Sequence, residues 1–202
     1  TKVVEGTPFK ASDRVKEVSI VSPLLSKFYG REVKANAAVI LPKNWKDEPS
    51  AHYPTVYFIG GFGSDHRFGQ QFVRMLPKAA DDCLVVVPDP SCSLGHSVFA
   101  DSANNGPRGQ SLIEEIIPAV ESKYHGASSA ATRWVTGISS GGWSCLWLIV
   151  TYPDSFGQCW SFCPDPVDFR DFQKIDLYAP NANMYKDETG SRRPLARNGQ
   201  NV

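Results

Sequence analysis

WVTGISSGGW stands at residues 134–143, and the rest of the chain is arranged around it. The apolar run over residues 133–136 is typical of a buried strand, and residues 143–152 are apolar over the length of a helix. Between them lies Gly-x-Ser-x-Gly, whose glycines allow a sharp turn because they carry no Cβ atoms. The pattern predicts a strand, a tight turn and a helix, with Ser139 presented on the turn as a nucleophile. A glycine-rich turn with a solvated serine is the alternative.

Composition and charge narrow the class of protein. Hydrophobic residues make up 42% of the 202 residues and aromatic residues 11%, which is typical of one soluble globular domain. Lys and Arg together number 21, as do Asp and Glu, and neither sign forms a long run. This balance argues against nucleic acid or an anionic membrane surface as a partner, and it favours a small neutral molecule.

The sequence has no predicted membrane span, since no apolar stretch approaches the ~20 residues that a span requires. The first six residues lack the apolar block of a signal peptide. The chain does not begin with Met, so a removed leader would make the protein secreted or periplasmic, and otherwise we expect it in the cytoplasm. The five cysteines show no metal-type spacing, and we expect neither a metal nor an organic cofactor.

Strand and helix patterns alternate along the chain and predict an α/β fold. The predicted strands are residues 15–21 and 32–41, joined as an antiparallel pair across residues 28–30, then 55–59, 83–87, the run into Ser139 and 157–162. The predicted helices are residues 68–80, residues 107–124 and the segment after Ser139. The continuous apolar runs suit a mostly parallel sheet sandwiched by helices.

The end of this sequence differs from the rest in amino-acid composition. Residues 175–202 carry few aliphatic side chains and many Asn, Asp, Arg, Pro and Gly residues. We therefore expect residues 1–202 to form a single domain in which residues 166–202 are an irregular excursion or an open end.

Acyl transfer by a serine also needs two backbone N–H donors at the point where the oxyanion forms. One is expected from Ser140, the residue after the nucleophile and the first of its helix. The other is expected from the turn after the strand 55–59, where residues 60–66 read GGFGSDH. A glycine cluster lets the backbone face the site, so we predict the Phe62 amide as the second donor. A flexible connection between strand and helix is the alternative.

Four stretches, taken in order, carry a family resemblance: VILP at 39–42, YPTVYFIGGFG at 53–63, IEEIIP at 113–118 and GISSGG at 137–142. Together they resemble the putative esterase family of α/β-hydrolases, which includes S-formylglutathione hydrolase, feruloyl and enterobactin esterases and the antigen 85 mycolyltransferases. The resemblance implies the α/β-hydrolase fold, with the chain stopping after about six of the usual eight strands. It also implies Ser139 as nucleophile and the Phe62 and Ser140 amides as the oxyanion hole.

The chain departs from this family in two places. Many members carry His-Gly where this chain has Gly60-Gly61, which we expect to alter the support of the loop more than the amide itself. In α/β-hydrolases the triad acid and histidine follow the serine, yet all four histidines, at positions 52, 66, 96 and 125, precede Ser139. Three explanations stay open: the histidine and the acid lie beyond residue 202, His66 or His96 reaches the site in a non-standard arrangement, or the chain is a hydrolase-like scaffold that binds without turnover.

Five further residues are candidates for the site. Gly61, His66, His96 and Asp101 lie in loops at the carboxyl ends of predicted strands, where substrate pockets form, and we assign them to the substrate side. Asp165 follows the strand after the nucleophile helix, where some α/β-hydrolases carry the triad acid. The alternatives are loop-capping roles for the two histidines and a turn-forming role for Asp165, which stands between two prolines.

The sequence therefore predicts a serine esterase that hydrolyses a carboxylic ester through an acyl-enzyme on Ser139, with the histidine and the acid supplied beyond residue 202. The chain alone is expected to be weakly active. The predicted partner is a small-molecule ester, without nucleic acid. An acyltransferase of the same fold and a non-catalytic module that binds carbohydrate or lipid are the alternatives. The acyl group, the alcohol and the oligomeric state stay open.

Overall fold

The computed structural model describes residues 8–126, 128–172 and 175–193, and six strands form its main sheet. These strands are β1 (Val15–Val21), β2 (Lys34–Ile40), β3 (Thr55–Ile59), β4 (Leu84–Pro88), β5 (Arg133–Ile138) and β6 (Gln158–Phe162). Their order across the sheet is β1-β2-β4-β3-β5-β6. β2 is antiparallel to both of its neighbours, whereas β4, β3, β5 and β6 are parallel to one another. The mostly parallel sheet predicted from the sequence is confirmed.

Helices cover the connections between these strands. They are α1 (Pro23–Tyr29), α2 (Gly69–Phe72), α3 (Arg108–Ser111), α4 (Ile117–Tyr124) and α5 (Ser140–Thr151). A π-helical turn, Leu112–Ile116, joins α3 to α4, so the predicted helix over 107–124 is nearly continuous. The wide turn has a physical reason, because Pro118 lacks an N–H and its ring would clash with the carbonyl four residues earlier in a regular α-helix.

Two connections differ from the prediction. Helix α1 replaces the predicted turn across residues 28–30, and the Ser22 side chain caps it by accepting a hydrogen bond from the backbone N–H three residues on. This helix ends at Gly30, whose φ of 64° is left-handed. The predicted crossover helix over 68–80 shrinks to α2 between two 3₁₀ turns. Pro77 disfavours helical backbone at the residue before it, which prevents a longer helix.

Both faces of the sheet are covered at β4, which explains its continuous apolar run. In β4, Leu84 and Val86 pack into one core together with Val120 of α4. Val85 and Val87 point the other way and pack into a second core. A strand buried on both faces needs apolar residues at every position, as β4 has. Among the described residues, no helix combines the length and the hydropathy that a membrane crossing requires.

The chain divides into two compact units, Thr1–Asp165 and Pro166–Val202. The first unit contains the sheet and the helices. In the second unit, residues 166–172 and 175–193 contain no helix, and their β-pairing is limited to the single bridges Phe172–Ile175 and Lys186–Arg192. The assignment of residues 1–202 to one domain stays a prediction.

Candidate active site

The carboxyl ends of three parallel strands meet at one edge of the sheet. Ile59 of β3 pairs with Gly137 of β5, and Ile138 of β5 pairs with Phe162 of β6. The turn after β5, which carries Ser139, therefore lies between the loops that follow β3 and β6. In open α/β sheets this edge is where ligands bind.

Ser139 occupies a strained turn between β5 and α5. Its φ of 58° and ψ of −127° are unusual for a residue with a side chain. Its N–H donates to the Phe162 carbonyl at 3.0 Å, and its own carbonyl accepts from the Trp143 N–H at 3.0 Å. The turn is thus tied to β6 on one side and to the first turn of α5 on the other. The Ser139 side chain remains partly exposed.

Close backbone packing around Ser139 requires the two flanking glycines. A Cβ atom on Gly137 would lie 2.6 Å from the Ile59 carbonyl oxygen and 2.6 Å from the Gly141 carbonyl oxygen. A Cβ atom on Gly141 would lie only 2.0 Å from the Ile59 oxygen. Side chains at either position would therefore force α5 away from β3, and Ser139 with it.

The loop after β3 faces this turn. A Cβ atom added to Gly61 would lie 3.5 Å from the Ser139 Cβ atom, so the side of residue 61 that lacks a side chain faces the nucleophile candidate. The Gly61 carbonyl accepts hydrogen bonds from the Ser64 N–H at 3.1 Å and from the Ser64 hydroxyl at 2.7 Å. Ser64 was not among the residues singled out from sequence, because a serine after glycines carries no signal of its own.

Two backbone N–H groups, one in the loop after β3 and one at the start of α5, lack an acceptor in the described part of the chain. Within residues 8–126, 128–172 and 175–193, neither the Phe62 amide nor the Ser140 amide donates a hydrogen bond. Ser140 is the first residue of α5, where an N–H has no partner inside the helix. Both amides are those predicted for an oxyanion hole, and that role stays a prediction.

The Ser139 hydroxyl has no hydrogen-bond partner in the described part of the chain. Of the four histidines, His52 is exposed, and the Nε2 atom of His125 lies 3.0 Å from the Oδ1 atom of Asp47. Neither of these two histidines forms a hydrogen bond with Ser139. His66 and His96, the two candidates in loops at the carboxyl edge, are buried.

His66 is held between two carboxylates. Its Nδ1 atom lies 2.8 Å from the Oδ2 atom of Asp89, and its Nε2 atom lies 2.9 Å from the Oε1 atom of Glu17. Carboxylates only accept, so both ring nitrogens must carry protons for both bonds to form. Burial lowers the pKa of His66, but the hydrogen bonds to Asp89 and Glu17 outweigh it and raise the pKa above its usual value. An imidazole that is protonated and hydrogen-bonded at both nitrogens cannot act as a general base.

His96 supports the loop after β3. Its Nδ1 atom accepts a hydrogen bond from the Val98 N–H at 2.9 Å, so the proton resides on Nε2. The Nε2 atom lies 3.1 Å from the Gly60 carbonyl oxygen and donates to it. Burial lowers the pKa of His96, which favours this neutral tautomer. These contacts favour the loop-capping alternative, and the substrate role of His96 stays a prediction.

The two predicted aspartates are also bonded within the fold. The Ser140 hydroxyl donates to the Oδ2 atom of Asp165 at 2.6 Å, which brings this carboxylate to the start of α5. Asp101 accepts from the Gly109 N–H at 2.8 Å and the Gln110 N–H at 3.1 Å, and its other oxygen accepts from a tyrosine hydroxyl. Asp101 therefore binds the first turn of α3. Its substrate role and the triad role of Asp165 stay predictions.

Apolar side chains are exposed beside the turn. Phe62 is 72% exposed, Ile138 49% and Phe162 58%. Ile138 of β5 pairs with Phe162 of β6. Ile138 directly precedes Ser139, and the Phe162 carbonyl accepts the hydrogen bond from the Ser139 N–H. Large exposed side chains grouped around a polar centre are typical of ligand-binding surfaces.

A mostly parallel sheet with a serine on a positive-φ turn between strand and helix is typical of the α/β-hydrolase class. Within that class, the model of the family described as Putative esterase matches residues 26–189, and the chain belongs to this family. The resemblance seen in the sequence is thereby confirmed. A comparison with curated proteins found no match.

Solved structures share the fold at low sequence identity. A fluorophosphonate-binding serine hydrolase of Staphylococcus aureus has a TM-score of 0.61 at 18% identity, over 78% of this chain and 59% of its own. A ferulic acid esterase of Anaeromyces mucronatus, in complex with ferulic acid, has a TM-score of 0.59 at 21% identity, over 82% and 62%. An S-formylglutathione hydrolase of Agrobacterium tumefaciens has a TM-score of 0.60 at 20% identity, over 80% and 61%. The matched part thus spans about three-fifths of each of these proteins.

Proposed function

We propose that this chain carries the nucleophile and the oxyanion hole of a serine esterase. In the proposed reaction, the Ser139 oxygen attacks the carbonyl carbon of a carboxylic ester while its proton passes to an imidazole. The tetrahedral intermediate collapses, the alcohol leaves with that proton, and water then releases the acyl group from Ser139. The observation that carries the proposal is a partly exposed serine on a positive-φ turn, which faces a loop whose Phe62 amide has no acceptor among the described residues.

The proposed oxyanion hole consists of the Phe62 and Ser140 amides. Each such donor contributes about 3 kcal/mol to transition-state stabilisation in serine hydrolases. Ser140 also begins the twelve-residue helix α5, whose positive N-terminal end favours a developing negative charge. The proposed oxyanion would thus face two unpaired N–H groups and the end of a helix dipole.

The general base is proposed to lie in sequence beyond residue 202. Both nitrogens of His66 bind carboxylates, and both nitrogens of His96 bind backbone groups, so neither ring offers a free acceptor to Ser139. The acid is expected beyond residue 202 too, and Asp165 is the candidate acid within this chain, since its Oδ1 atom makes no hydrogen bond to the described residues. A histidine between Asp165 and Ser139 would complete the triad geometry.

The proposed substrate is a small ester with an apolar group. Ile138 precedes Ser139, the Phe162 carbonyl accepts from the Ser139 N–H, and the side chains of both residues and of Phe62 are exposed. Apolar contacts of this kind bind the hydrocarbon part of an ester. Since the Anaeromyces mucronatus esterase binds ferulic acid, methyl ferulate belongs in the test set beside p-nitrophenyl acetate.

Fluorophosphonate labelling tests the nucleophile. We expect a single covalent adduct, mapped by peptide mass spectrometry to Ser139 and absent from Ser139→Ala. Ser26→Ala, a hydroxyl deletion in helix α1 at the far end of the sheet, is the matched control and should label like the wild type. Because the proposed base lies outside this chain, labelling is run with added imidazole; an adduct that persists in Ser139→Ala, or no adduct even with imidazole, would favour the non-catalytic binding module.

Chemical rescue tests the missing base. The 202-residue chain should hydrolyse p-nitrophenyl acetate slowly, and added imidazole should raise the rate in the wild type but not in Ser139→Ala, once free imidazole hydrolysis is subtracted. Fast turnover without imidazole would show that a base lies inside the chain and would contradict that part of the proposal. Product analysis with an added alcohol distinguishes hydrolysis from acyl transfer.

A further inference from the structure

The loop between Gly60 and Ser64 is tied down at two successive carbonyls. The Gly60 carbonyl accepts from the Nε2 atom of His96 at 3.1 Å. The Gly61 carbonyl accepts twice from Ser64, at 2.7 Å from the hydroxyl and at 3.1 Å from the N–H. These are the two carbonyls immediately before the Phe62 amide, so the peptide that carries this amide has little rotational freedom.

We propose that Ser64 is a positioning residue that orients the Phe62 amide towards Ser139, an inference that rests on the proposed function. In the trans peptide between Gly61 and Phe62, the C=O and N–H groups point in opposite directions. Ser64 binds the C=O, and the N–H therefore points to the side away from Ser64. Since a Cβ atom at position 61 would lie 3.5 Å from the Ser139 Cβ atom, this loop faces Ser139, and in the proposed arrangement the N–H points to the place where an oxyanion forms.

The absence of a side chain at position 60 is part of the same arrangement. A Cβ atom on Gly60 would lie 2.2 Å from the Ser64 hydroxyl oxygen, far inside van der Waals contact. Ser64 thus occupies the space that a side chain at position 60 requires.

The Ser64→Ala variant tests the orientation of the Phe62 amide without disrupting the fold. The variant keeps the 3.1 Å bond from the backbone N–H but loses the hydroxyl bond, so the amide should be misaligned without loss of the fold. Removing one oxyanion donor lowers kcat by about 10²-fold or more, and we expect a partial loss here, about tenfold in kcat with KM changed by less than about twofold. Rates are measured in the presence of imidazole, with Ser26→Ala as the control for loss of a hydroxyl bond at a distance.

The decisive readout compares an oxo ester with its thiono analogue. Sulfur accepts hydrogen bonds poorly, so an intact oxyanion hole favours the oxo ester, and the oxo-to-thiono rate ratio should fall about tenfold in Ser64→Ala. A merely structural effect would lower both rates equally and leave the ratio unchanged, which would overturn this inference.

Gly60→Ala is the second variant, because its methyl group displaces the Ser64 hydroxyl without removing it. We expect the same fall in the oxo-to-thiono ratio, and a wild-type ratio in this variant would also count against the inference. Failure of the proposed function gives a different result. In that case Ser139→Ala would turn over the ester as fast as the wild-type chain, and both proposals would be wrong.

Discussion

Replacing Gly141 by alanine tests whether the close approach of helix α5 to strand β3 holds Ser139 in place. Gly141 lies in the first turn of α5, two residues after Ser139, and its φ is not left-handed. Helix propensity alone therefore predicts that alanine stabilises the protein by up to about 1 kcal/mol. The packing predicts the opposite sign, so the measurement separates the two effects.

The magnitude follows from the distances. The new Cβ atom would lie 2.0 Å from the Ile59 carbonyl oxygen and 2.6 Å from the Gly60 carbonyl oxygen, whereas such contacts are essentially never below 3.0 Å. Strand and helix must separate by roughly 1 Å, and overpacking of this kind costs about 3 kcal/mol. After the gain in propensity, the net loss is about 2 kcal/mol. For a chain of this size that lowers the Tm by roughly 4–8 °C.

The same displacement moves the Ser140 amide away from the loop at Gly61. A misplacement of about 1 Å can lower reactivity about 10²-fold, and we expect fluorophosphonate labelling of Gly141→Ala to slow by that order. Thermal unfolding followed by circular dichroism gives the stability, and the labelling rate is measured well below the Tm.

Gly30→Ala is the matched control. Gly30 has a φ of 64° and no heavy atom within 4 Å of an added Cβ, so alanine costs about 1 kcal/mol from backbone strain alone. This variant should lose a few degrees in Tm and label at the wild-type rate. A Gly141→Ala protein with an unchanged or higher Tm and normal labelling would refute the packing argument.

Two further predictions concern the ion pairs of the fold. The pKa of His66 is raised in the folded state, so the stability that its protonated form contributes is complete below about pH 6.5 and is lost as the pH rises through the folded pKa. Urea unfolding between pH 6 and 9 should show a decrease in the free energy of unfolding that is absent in His66→Gln. The same pH dependence in both proteins would contradict this prediction. Arg133 binds the buried Glu121 carboxylate at 2.6 and 2.7 Å, so Arg133→Met should cost about 3–5 kcal/mol by leaving that charge unpaired, and Arg133→Met with Glu121→Leu should recover much of it in the same assay.

The strand bounds were predictable where burial left a clear pattern. Residues 15–21 alternate charged and apolar side chains, and β1 has the predicted bounds. Residues 55–59 are continuously apolar, and β3 also has the predicted bounds. In each case the pattern of apolar and polar side chains shows whether one or both faces of the strand are covered. That pattern can be read from consecutive residues of the sequence.

Helix α1 was not predicted, although Ser22 followed by Pro23 is a helix-start signal. Two strand patterns on either side favoured a simple turn, and the short helix between them was missed. The crossover over 68–80 was overestimated for the opposite reason, since its apolar spacing fits a helix while Pro77 interrupts it. Short elements depend on single capping or breaking residues more than on periodicity.

The sequence alone determined the order of strands and helices and the sharp turn at Ser139, because the spacing of apolar residues and glycines is a local property. The tertiary structure alone decided which groups from distant segments meet. Glu17 lies on β1 and Asp89 follows β4, two strands that flank β2, and His66 binds both carboxylates across β2. His96 supports the loop after β3 because its Nε2 atom meets the Gly60 carbonyl, 36 residues earlier in the chain. Hydrogen-bond partners depend on how the segments are arranged in space, and composition and spacing do not encode that arrangement.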